Sequence, residues 1–68
     1  MDFGKNLRKA RENAQMTQVE LAKKAGVSQS TLAQIERGSK PLSLPLAVEL
    51  TKILGVTVAW LVGESQED

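Results

Sequence analysis

The sequence predicts an all-α fold, a compact bundle of five short helices. Three observations predict it. Glycines at 26, 38, 55 and 63 each follow a stretch with helical apolar spacing, where a left-handed residue is wanted to end a helix. Thr17, Ser28, Ser43 and Thr57 stand where the later stretches begin, and their side-chain oxygens suit the cap position. No segment shows the period-two alternation of a strand.

The first helix is expected at roughly 3–14, with Phe3, Leu7, Ala10 and Ala14 on its apolar face. The second, 18–25, opens on a capping box of Thr17 and Glu20, flanked by Met16 and Leu21 as a hydrophobic staple. The third, 29–37, follows Ser28, with Val27 and Leu32 as its staple. The fourth, 44–54, follows Ser43 and draws its apolar side from Val48, Leu50, Ile53 and Leu54. The fifth, 58–62, follows Thr57 and is stapled by Val56 and Leu61.

At 68 residues the chain has room for one domain, 1–68, ending in an acidic tail at 64–68. So small a core lies near the lower limit for folding without a covalent or metal staple. There is no Cys and no His, which excludes disulfides, a zinc finger and thiol catalysis. Glycine-rich phosphate loops and paired acid–base carboxylates are missing too, so the sequence reads as a non-enzyme with no metal and no cofactor. Nearly all of the apolar surface is needed as core, which leaves no evident small-molecule site. The opening Met1-Asp2-Phe3-Gly4 resembles neither a signal nor a transit peptide, and the apolar runs are too short to span a membrane.

Net charge is only +1, but its distribution is uneven. Residues 1–40 hold eight basic side chains against four acidic ones, whereas 41–68 hold Lys52 against four acids. A basic half beside an acidic half suits a face that meets a polyanion. An ordinary solvated surface is the alternative.

The second and third helices are short and joined by the tight Ala25-Gly26-Val27-Ser28 connection, the arrangement of a DNA-binding helix-turn-helix over about 18–37. Ala22 is small where two helices must approach, and Gly26 can take the positive φ of the turn. Leu21, Val27, Leu32 and Ile35 supply the contacts beneath. At about 100° per residue, Leu32 and Ile35 mark the buried side of the third helix. Ser30, Ala33, Gln34 and Arg37 then point outward, with Gln29 at the edge. A Gln amide can pair with adenine through both its oxygen and its nitrogen, and Ser or Thr can touch either kind of base.

The stretch TQVELAKKAGVSQSTLAQIERG, residues 17–38, resembles the helix-turn-helix of the lambda-repressor/Cro-like (XRE-type) family. The continuation through ILGVTVAWL to residue 62 is similar to that family's last two helices. The resemblance implies a cytoplasmic, nucleoid-associated regulator of transcription, a repressor, bound to double-stranded DNA as a homodimer. It implies base reading by Gln29, Ser30 and Gln34, with backbone or secondary contacts from Ser28 and Thr31. Gln18 corresponds to a glutamine that grips phosphate and braces the first reading residue, and Thr17 stands beside it at the DNA-facing helix start. Further phosphate contacts are expected from Arg37, Lys40 and the N-terminal amides of the second and fourth helices. Lys5, Arg8 and Lys9 lie farther away and add to the field.

Arg11 lies about 40° from Leu7, and Glu36 about 40° from Leu32, so both sit at the edge of an apolar face. The family carries an Arg–Glu ion pair at the matching positions, and the resemblance implies that these two meet, partly buried. Leu42, Leu44, Leu46 and Val58 allow two readings. They close the core over Trp60, or they form a two-fold dimer patch that sets half-sites about one turn, roughly 34 Å, apart. The rival function is a protein-interaction module on the same scaffold, which would expose large apolar residues on the third helix instead of Gln29, Ser30 and Gln34.

Overall fold

The computed structural model describes residues 3–63, so the expected acidic tail at 64–68 lies outside the described residues. Five helices follow in order: α1 (Phe3–Asn13), α2 (Gln18–Ala25), α3 (Gln29–Arg37), α4 (Leu44–Leu54) and α5 (Val58–Leu61). No strand occurs among the described residues. α1 and α5 each end one residue earlier than their spacing predicts.

The helix starts follow from local chemistry. Thr17, Ser28, Ser43 and Thr57 have extended backbone, and each side chain accepts the amide three residues on. The distances are 3.0 Å from Glu20, 3.0 Å from Thr31, 3.4 Å from Leu46 and 3.0 Å from Trp60. Glu20 completes its capping box by accepting the Thr17 amide at 2.8 Å.

The stops are equally local, with one surprise. At Gly26 (φ 73°) the glycine amide donates to the Lys23 carbonyl and the Val27 amide to that of Ala22. This crossed pair satisfies carbonyls that the helix end would orphan. α1 ends with the same crossed pair, Gln15 to Glu12 and Met16 to Arg11, but the left-handed residue is Gln15 at φ 60°. A side chain at that φ is strained. No glycine marks the stop, so the sequence carries no signal for it.

The core takes one fully buried leucine from each helix: Leu7, Leu21, Leu32, Leu50 and Leu61. Ala10, Ala22, Ile35 and Ala47 fill the spaces between them. α3 lies against α1 and α2, α2 against α4, and α5 bridges α1 and α4. The Asn6 side chain ties α1 to α5 by donating to the Leu61 carbonyl at 2.8 Å.

Two apolar faces differ from the spacing. α1 turns Gly4, Leu7 and Ala10 inward, while Phe3 and Ala14 are exposed. At Gly4 the backbone of α1 meets that of α3 so closely that a Cβ there would lie 2.5 Å from the Glu36 carbonyl oxygen. That approach needs the residue without a side chain, and Phe3 is left at the rim. In α4 the inward residues are Ala47, Leu50 and Thr51, and Val48 is exposed. Counting only apolar residues missed Thr51, whose hydroxyl donates to the Val48 carbonyl at 2.8 Å and so can be buried.

Candidate nucleic-acid interface

α2 and α3 are joined by Gly26, Val27 and Ser28, and the capping at both sides of the turn fixes how α3 leaves it. Ala22 is 2% exposed, which lets α2 and α3 approach closely. Leu32 and Ile35 anchor α3 in the core. On the remaining surface Gln29, Ser30 and Arg37 are exposed, and Thr31, Ala33 and Gln34 are half-buried.

Behind this surface lies a connected set of polar groups. The Arg11 Nε donates to Glu36 Oε2 at 2.7 Å, and its Nη2 to Glu36 Oε1 at 3.1 Å. The third nitrogen, Nη1, donates to the Met16 carbonyl at 2.9 Å, which ties the pair to the chain entering α2. The Arg11 and Glu36 side chains are 12% and 4% exposed. Glu36 raises the Arg11 pKa above its ordinary value by hydrogen bonding to it, so the guanidinium stays charged. Gln18 Nε2 donates to Glu36 Oε1 at 3.0 Å, and Gln18 Oε1 accepts from Gln29 Nε2 at 3.3 Å. An unbroken path therefore runs from α1 to the leading turn of α3.

The two caps differ in what they leave for a ligand. Ser28 uses its oxygen on the Thr31 amide and its hydrogen on Thr31 Oγ1 at 2.9 Å. The free hydroxyl hydrogen is then on Thr31. Thr17 accepts from Glu20, and its own hydroxyl hydrogen is not used by the cap. The first-turn amides of Gln18 and Val19 have no intrahelical acceptor by helix geometry. At α4 the equivalent supply is thinner, because Leu46 is capped and Pro45 has no N–H, so only Leu44 offers a first-turn amide.

Arg37 and Lys40 are exposed, and the Arg37 Nε donates to Ser39 Oγ at 3.4 Å. A polar cleft of about 300 Å³ is lined by Arg8, Arg11, Gln18, Ala33, Glu36 and Arg37. Arg8 therefore stands closer to α3 than its place in the first helix suggests. It also pairs with Glu12 on the surface at 3.1 Å. The i, i+3 spacing of Arg8 and Arg11 was the available signal, since it puts both on one side of α1.

The groups expected at a dimer patch separate. Leu42 is half-buried against the core, as is Leu46. Leu44 is 68% exposed and Val58 37%. Val48, one turn beyond Leu44 on the same side of α4, is exposed as well.

A capped α2, a glycine turn and an α3 with a polar outer face define a helix-turn-helix domain. A family model described as helix-turn-helix matches residues 7–61. The chain belongs to this family, the XRE-type (lambda-repressor/Cro-like) DNA-binding regulators of transcription. It is 39% identical over 64 residues to the immunity repressor protein of Bacillus phage phi105, covering 94% of this chain and 44% of that one. It thus spans less than half of that repressor's length. The N-terminal DNA-binding domain of SinR from Bacillus subtilis has a TM-score of 0.85 at 32% identity, with 96% of each chain covered. SinR, the master regulator for biofilm formation, in complex with DNA gives 0.83 at 31% identity, covering 88% of this chain and 97% of that one.

Proposed function

We propose that this chain is a sequence-specific, double-stranded-DNA-binding regulator of transcription that acts as a repressor. α3 enters the major groove, whose width admits a helix and whose base edges are individually distinguishable. The observation that carries this reading is the division of α3 between a buried Leu32–Ile35 side and an exposed polar leading turn at Gln29 and Ser30. The large exposed apolar residues, Phe3, Val19, Leu44, Val48 and Val58, all lie off α3. A protein-docking role for that helix would call for the reverse.

Gln29, Ser30 and Gln34 read base edges, with Thr31 as a donor at their margin and Ser28 as the cap that orients the turn. Thr17, Gln18, Arg37 and Lys40 hold phosphates, and Arg8 joins them. Residues 1–68 act as one DNA-binding unit in the cytoplasm, at the nucleoid. The reading needs no metal, cofactor, small-molecule ligand or catalysis. On DNA two copies pair through Leu44, Val48 and Val58 and occupy a palindromic operator; Leu42 is largely spent on the core. Selection of bound sequences from random duplexes tests all of this together. A symmetric site with half-sites one helical turn apart is the expected result. Recovery of no sequence above background refutes base reading, and a single unrepeated half-site refutes the dimer.

A further inference from the structure

We propose that Glu36 is a specificity-determining positioning residue: its carboxylate sets the polarity of the Gln18 amide, and through it makes Gln29 present an adenine-reading face. The inference rests on the DNA-binding reading above and adds a residue that touches no base.

The argument is one of donors and acceptors. Both Glu36 oxygens accept from Arg11, and a carboxylate paired in this way offers its neighbours acceptors only. Gln18 must therefore turn its NH₂ toward Glu36, as the 3.0 Å bond shows. Its amide oxygen then faces Gln29 and can only accept, so Gln29 must donate, which it does at 3.3 Å. Gln29 is left with its oxygen and one N–H directed outward. An acceptor beside a donor matches the N6 donor and N7 acceptor of adenine.

The reversed chain would give the opposite result. If Gln18 turned its NH₂ toward Gln29, the Gln29 oxygen would be occupied and two N–H groups would face outward. Two donors match the O6 and N7 acceptors of guanine. A DNA phosphate is also a pure acceptor, so Gln18 can pass from Glu36 to a phosphate without turning its amide over. Glu36 thus stands in for the phosphate before DNA arrives. The reading amide is ordered in advance, and part of the entropy cost of binding is removed.

Adenine-to-guanine discrimination at each operator position, measured by competition binding at constant salt, tests this. Glu36→Gln can donate or accept toward Gln18, so the polarity is no longer imposed. We expect discrimination at the position read by Gln29 to fall about three- to tenfold, the worth of one hydrogen bond. Discrimination at the position read by Gln34, which lies outside the chain of bonds, should hold. In a Gln29→Ala background, Glu36→Gln should have no further effect on that discrimination. Because Glu36→Gln also weakens a buried ion pair, Gln18→Met serves as a second variant that cuts the path and leaves Arg11–Glu36 intact. It should reproduce the selective loss on top of a uniform drop in affinity.

A folded variant of either kind with unchanged discrimination at the Gln29 position overturns the inference. So does an equal loss at the Gln29 and Gln34 positions, which marks a merely structural role. If the wild-type chain prefers no duplex over another, the DNA-binding reading itself has failed, and this inference falls with it.

Discussion

Gly4→Ala is the most direct trial of the packing described here. Gly4 lies in the first turn of α1 with an ordinary helical φ, so the substitution introduces no backbone strain. In an open helix the same change would stabilise by about 0.5–1 kcal/mol. Here the new Cβ would lie 2.5 Å from the Glu36 carbonyl oxygen, where ordinary contact begins at 3.4 Å. The obstacle is backbone at the end of α3, not the tip of a flexible side chain. The two helices must therefore separate by roughly 1 Å, and overpacking of this kind costs about 1–3 kcal/mol. Subtracting the propensity gain leaves a net loss of about 0.5–2 kcal/mol. For a domain of this size each kcal/mol moves the Tm by about 4–8 °C, so a fall of roughly 2–16 °C is expected. Thermal unfolding followed by circular dichroism, at fixed protein concentration, reads the effect. A Tm equal to or above that of the wild type would refute the close approach of α1 and α3.

Four further outcomes are expected. Gln15→Gly relieves a left-handed residue at φ 60° and should stabilise by about 0.5–1 kcal/mol after the added freedom of the unfolded chain is counted; urea midpoints that fall instead would contradict the assigned α1 stop. Gln29→Ala should lose about 1–3 kcal/mol on the selected site and relax the preference at one base pair, and a uniform response across point-mutated sites would remove Gln29 from the reading set. Lys40→Ala should weaken all duplexes alike and lower the slope of log K against log salt by about one, so an unchanged slope excludes its phosphate contact. Glu20 has its pKa lowered, first by the Thr17 backbone N–H and then by the Thr17 side chain. Its contribution is therefore complete above the ordinary glutamate pKa and is lost as pH falls through the lowered value. Glu20→Gln should flatten this acid-side loss of stability, and an identical pH profile would show that the box adds nothing.

The legible parts of this fold are the ones governed by neighbours in sequence. Thr17, Ser28, Ser43 and Thr57 could be placed as caps because each bonds the amide three residues on, whatever the rest of the chain does. Gly26 was legible for the same reason. The Gln15 stop was not, because there the fold tolerates a strained residue and residue type carries no mark of it. Gly4 was overlooked because apolar spacing scores side chains, while the decisive fact is the absence of one opposite another helix's carbonyls. Phe3 took its place in the count and proved to be exposed.

The site shows the same limit at longer range. The family resemblance implied that Gln18 braces Gln29 and that Arg11 meets Glu36, but nothing in the sequence joined the two pairs. The join is Glu36 Oε1, which accepts from both Arg11 and Gln18. It forms only because α1, α2 and α3 converge on one buried carboxylate. Burying an ion pair stabilises little relative to an apolar replacement of the same size. On the proposal above the carboxylate supplies direction: an apolar residue could fill the space, but it could not compel the Gln18 amide to face one way. The carboxylate that joins α3 to α1 also bonds Gln18, and through it Gln29, so on the proposal above an alteration of Arg11 should be felt at Gln29 by way of Glu36.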